Sequence, residues 1–96
     1  MDFAQEIYAD LVDTLTANGT TTAQYFGSVH PAPNKLLADI CAAKGQRAFI
    51  GKVVMDLPDQ CPDYYRDESA ETALADTEEF LRYCAELNRT VPQDIV

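Results

Sequence analysis

The sequence predicts an α/β fold in which parallel strands are joined by helices, and three observations carry that reading. Phe3, Ile7, Leu11 and Leu15 recur every four residues, a spacing that puts side chains on one helical face. Two β-rich runs, residues 20–26 and 47–55, each begin just after a glycine stop, at Gly19 and Gly45. The second run is apolar almost throughout, apart from Lys52, as expected of a parallel strand covered on both faces.

In the first helix Ala4, Tyr8 and Val12 widen the apolar stripe, and Asp2 with Gln5 has the spacing of a capping box. Gly19 ends it, because glycine reaches the left-handed conformation without a Cβ clash. Residues 20–26 start with β-branched threonines and finish in the aromatic pair Tyr25-Phe26 before Gly27, which reads as a strand. Pro31 and Pro33 mark a loop, since neither supplies an amide proton and each restricts its predecessor. Asn34 is placed to cap a second helix that buries Leu36, Leu37, Ile40 and Cys41 and stops at Gly45.

Residues 47–55 form the second strand, and 56–67 a loop holding Pro58 and Pro62. A long helix over 69–87 has Ala70, Ala73, Leu74, Thr77, Phe80, Leu81, Cys84 and Leu87 on one side. Its other side carries Glu71, Asp76, Glu78, Glu79, Arg82 and Glu86. Residues 91–96 are read as the start of a third strand. The order is αβαβα(β), a single domain over 1–96. Parallel strands linked by right-handed helical crossovers fit either an open α/β sheet or a piece of a barrel.

Composition narrows the function classes. Ninety-six residues with 47% hydrophobic content suffice for one small domain, whereas a complete (β/α)8 barrel needs about 250. The formal net charge is −9, with the acids concentrated in 56–86, which repels phosphate backbones and argues against nucleic-acid binding. That charge reads as a solvated outer surface or as a docking face for a basic partner. Cys41, Cys61 and Cys84 are odd in number and widely spaced, fitting neither a disulfide framework nor a metal clip. No apolar run approaches the ~18 residues of a membrane span. The first residues lack the pattern of a secretory leader, so a cytoplasmic setting is expected.

The run Asn-Gly-Thr-Thr-Thr-Ala-Gln-Tyr-Phe at 18–26 and the run Gly-Gln-Arg-Ala-Phe-Ile-Gly-Lys-Val-Val-Met-Asp at 45–56 together resemble the second and third barrel strands of guanine deaminases. These are zinc enzymes of the amidohydrolase superfamily. The resemblance runs through 1–87, by way of Asp2-Phe3-Ala4, Ser28-Val29-His30 and Leu36-Leu37-Ala38-Asp39-Ile40, and is lost over 90–96. It implies a slice of a (β/α)8 (TIM) barrel. It also implies that complete members hydrolyse guanine to xanthine and ammonia with one bound zinc, usually as homodimers. Their metal ligands come from a His-x-His at strand one, single histidines at strands five and six, and an aspartate at strand eight. A glutamate near the strand-five histidine moves protons, and an Arg-Phe after strand four holds the purine. None of these falls in the present segment, so no catalytic or metal residue is expected here. By the same resemblance Met1 sits at an interior family position, as expected of a truncated chain, a gene fragment or a misassigned start. The isolated chain is expected to be inactive on guanine, and oligomeric, aggregating or molten.

Five residues remain candidates for lining a pocket: Tyr25, Phe26, His30, Met55 and Asp56. Tyr25, Phe26 and Met55 end the two strands at the side where barrel active sites form. There they either pack on a planar purine or fill the top layer of the barrel. His30, the single histidine, follows the first strand and could line the pocket mouth or meet a neighbouring subunit; it equally suits a plain loop position. Asp56 could orient a pocket group or simply start a turn. Lys52 needs a carboxylate partner wherever it is buried, and that partner is expected in the part of the barrel outside this chain. An alternative reading is a free-standing acidic αβα module that binds another protein through a sheet edge or helix face.

Overall fold

The two strands pair in parallel with no stagger at either end. Thr22 lies opposite Arg47, Ala23 opposite Ala48, Gln24 opposite Phe49, Tyr25 opposite Ile50 and Phe26 opposite Gly51. In this computed structural model, which describes residues 2–91, the order is α1 (Asp2–Ala17), β1 (Thr22–Phe26), α2 (Pro31–Lys44), β2 (Arg47–Gly51) and α3 (Ala70–Arg89). The αβαβα alternation and the parallel pairing expected from the sequence are therefore present. The third strand expected over 91–96 falls, beyond Val91, outside the described residues.

Both of the first helices end as their glycines require. Gly19 has φ +93° and Gly45 φ +77°, and in each case the following amide reaches back five residues. Thr20 N–H donates to the Leu15 carbonyl (2.8 Å) and Gln46 N–H to that of Cys41 (3.0 Å). This is the left-handed closure that turns a helix directly into a strand. α3 begins at Ser69, whose hydroxyl accepts the Thr72 amide at 3.1 Å, a side-chain cap.

Alternation along the strands divides the sheet into two faces. Ala48 is buried with Val12, Leu37, Ile40 and Cys41, and Tyr8, Tyr25, Leu36 and Ile50 pack around them. Phe26 and Phe49, on the other face, are 87% and 65% exposed. The expectation that β2 is covered on both faces is thus corrected: within this chain only the helix-facing side is covered. The strand is also shorter than the 47–55 expected, ending at Gly51.

The expected helix faces are rotated as well. Phe3, Ile7 and Leu11 lie at 77%, 46% and 41% exposure, and Val12 is the fully buried residue of α1. α3 packs on α2 and buries Ala73 and Phe80, leaving Leu74 and Leu81 exposed. Periodicity identifies a stripe, but the line within it that is covered depends on which neighbours are present. Across the α2–α3 seam the Tyr83 hydroxyl donates to Asp39, and Lys35 pairs with Glu79 at 2.7 Å while lying 5.4 Å from the Tyr83 ring centre. The hydrogen bond to Asp39 pushes the Tyr83 hydroxyl up to about 12.

Candidate functional site

The carboxyl ends of β1 and β2 lead into two loops that are tied together. Gly27 N–H donates to the Gly51 carbonyl at 2.8 Å and Val53 N–H to that of Ser28 at 3.2 Å, carrying the backbone pairing past the strands. Gly27 has no room for a side chain. A Cβ there would lie 2.4 Å from Asn34 Oδ1 and 2.9 Å from the Gly51 oxygen.

Asn34, 1% exposed, explains that crowding. Its Oδ1 accepts the Ser28 amide and its Nδ2 donates to the Ser28 carbonyl, both at 2.8 Å. The capping role expected of Asn34 is corrected here. α2 starts three residues earlier, at Pro31, with His30 at the cap position and no side-chain cap. Proline read as a loop marker is also well suited to the first helical position, where its missing N–H is unneeded and its φ is already helical. Asn34 is thereby freed to clamp the loop.

The second loop folds back over the first. Tyr65 Oη accepts the Val29 amide at 3.3 Å, and its ring meets His30 edge-on, with centroids 5.9 Å apart and planes at 82°. Arg66 orders the loop from within, its Nη2 donating to the carbonyls of Pro58 (2.9 Å) and Cys61 (2.7 Å). Lys52 Nζ lies 3.1 Å from Asp67 Oδ1, with both side chains withdrawn from solvent, and also donates to the Val53 carbonyl. The partner of Lys52 is therefore inside this chain, not in a missing part of the barrel. The sequence signal was available, since a cation in an apolar run requires a carboxylate, but the fold of the intervening loop chose which one.

The five candidate residues are not gathered in one place. Tyr25 packs on the helix side, and its hydroxyl donates to Gln46 Oε1; burial raises its pKa. Cys41, beside the same Gln46 oxygen at 3.8 Å, is pushed up to about 11 by burial. Phe26 projects from the opposite, open face. His30 is exposed against Tyr65, while Met55 and Asp56 are half-buried at the start of the second loop. Sequence reasoning missed Asn34, Tyr65 and Asp67 as the residues that hold these loops in place.

A shallow groove of about 500 Å³ opens along the sheet, lined by Phe26, Phe49, Gly51, Leu81, Cys84 and Ala85 among others. Among the described residues no three of His, Cys, Asp or Glu are grouped to hold a metal ion. With His30 set against Tyr65 and the cysteines apart, these side chains do not fit a zinc centre of their own. No helix among them is long and apolar enough to cross a membrane.

No protein-family model matches the chain. Individual relatives do. Human guanine deaminase is 44% identical over 96 residues, which is 100% of this chain and 21% of the relative. Guanine deaminase of Escherichia coli strain K12 is 36% identical over 81 residues, covering 84% of this chain and 18% of the relative. The crystal structure of guanine deaminase from C. acetobutylicum, with guanine bound in its active site, superposes with a TM-score of 0.77 at 36% identity. That match covers 84% of this chain and 19% of the solved one. The chain thus spans about a fifth of the length of the relatives it matches. Sequence and backbone agree in making it a homologue of one segment of guanine deaminase, matching an α/β slice of that fold.

Proposed function

We propose that this segment serves a guanine-hydrolysing enzyme as two adjacent barrel strands with their outer helices, shaping one wall of the purine pocket. The observation that supports this most directly is the backbone match to a solved guanine deaminase that holds guanine. Active sites of (β/α)8 barrels lie at the carboxyl ends of the strands, the end at which the two tied loops sit here. Of the five candidates, Phe26, Met55, Asp56 and His30 belong to that end as wall or rim residues, and Tyr25 supports the wall from the helix side. The zinc implied by the family resemblance would take its ligands from outside this segment, and so would the groups that move protons. A cytoplasmic, dimeric enzyme remains the setting that this resemblance implies.

A segment exchange tests the reading. Residues 2–91 would replace their counterpart in the C. acetobutylicum enzyme, and ammonia release from guanine would be followed. The expected result is a folded graft that deaminates guanine, with the isolated 96-residue chain no faster than buffer. A folded graft without turnover, or turnover by the chain alone, overturns it.

A further inference from the structure

We infer that the buried Lys52–Asp67 pair is a positioning device, fixing the backbone at Met55 and hence the rim from which Asp56 departs. This rests on the placement of the segment in a guanine deaminase barrel. Three contacts converge on Asp67. Its Oδ1 meets Lys52 Nζ at 3.1 Å, its Oδ2 accepts the Met55 amide at 2.9 Å, and its own amide donates to the Met55 carbonyl at 2.7 Å. Lys52 closes the ring through the Val53 carbonyl at 3.0 Å. Residues 52–55 and 67 therefore form one hydrogen-bonded knot at the end of β2, and it joins the two ends of the long loop.

Simple stabilisation explains this arrangement poorly. A buried ion pair recovers little more than its desolvation cost, so hydrophobic residues of similar volume would hold the region equally well. An apolar residue at 67 would keep the backbone bond to the Met55 carbonyl but would leave the Met55 amide without its side-chain acceptor. The Asp67 carboxylate supplies that acceptor, and Lys52 Nζ, 3.1 Å from its other oxygen, fixes its orientation. Positional precision of this kind matters where a ligand must be held, since rim groups displaced by about an ångström lose binding geometry.

The test pairs two variants with two readouts. Asp67→Ala removes the carboxylate that accepts the Met55 amide and leaves the backbone bond to the Met55 carbonyl, whereas Lys52→Met with Asp67→Asn removes the charges but keeps a side-chain acceptor for that amide. Amide exchange on the full 96-residue chain should quicken at least tenfold for residues 53–56 in Asp67→Ala, with 22–26 unchanged. The neutral double variant should stay within threefold of the parent. In the grafted enzyme, Asp67→Ala should raise the KM for guanine about tenfold with kcat held within twofold, and the double variant should restore most of it. Uniform acceleration along the chain, or an unmoved KM beside local loosening, overturns the inference. A graft inactive before any substitution overturns the placement instead, while the exchange pattern still decides whether Asp67 fixes Met55.

Discussion

Gly27 and Gly51 are hydrogen-bonded at the strand ends but differ in what they tolerate. A Cβ on Gly27 would meet a backbone oxygen and the buried amide of Asn34, whereas one on Gly51 meets nothing within 4 Å. Gly27→Ala must push Asn34 away from Ser28 and part the Gly27–Gly51 pairing. Overpacking of this kind costs about 1–3 kcal/mol. Gly51→Ala should change stability by less than about 0.5 kcal/mol, as for a site without close neighbours. Urea unfolding midpoints of the two variants should separate accordingly, and equal midpoints would refute the account. The sequence marked Gly27 only as the end of a strand. Its crowding depends on Asn34, whose role followed from a helix beginning at Pro31 and not at residue 34.

At the scale of elements, α3 shows how far periodicity reaches. Phe80 and Leu81 are adjacent on the stripe read from the sequence, yet Phe80 is 2% exposed and Leu81 63%. Phe80→Ala should therefore cost about 3–5 kcal/mol, and Leu81→Ala in this chain within about 0.5 kcal/mol. In the grafted barrel the ranking should tighten. Leu81 borders the groove beside β2, and a covered leucine truncated to alanine costs about 2–5 kcal/mol. Denaturation of both variants in both contexts checks this. A Leu81→Ala cost that is the same in chain and graft would show that the groove stays open in the barrel. The same logic applies to α1, where Val12 and not the predicted Phe3–Ile7–Leu11 line is the buried residue.

For the whole molecule, the open face of the sheet sets the behaviour in solution. Phe26 and Phe49 project from two short strands, and unpaired strand edges with exposed apolar side chains template association. A net charge of −9 opposes that association over long range without covering the rings. Sedimentation velocity should show the average mass of the 96-residue chain rising with concentration. Phe49→Glu should shift it back toward monomer by placing a charge on the exposed face. A chain that stays monomeric at every concentration would mean that this face needs no cover.

The order of elements, the glycine stops at Gly19 and Gly45, the parallel strands and the family were all legible in the sequence. Each depends on local backbone preference, or on residue runs that a homologous segment preserves. The demand of Lys52 for a carboxylate was legible too, because an unpaired buried ammonium is costly in any fold. Its answer in Asp67, the clamp by Asn34, the contact of Tyr65 with His30 and the covered line of each helix were decided by tertiary structure. Those choices depend on how a loop folds back and on which surfaces have neighbours, and neither is encoded in spacing along the chain.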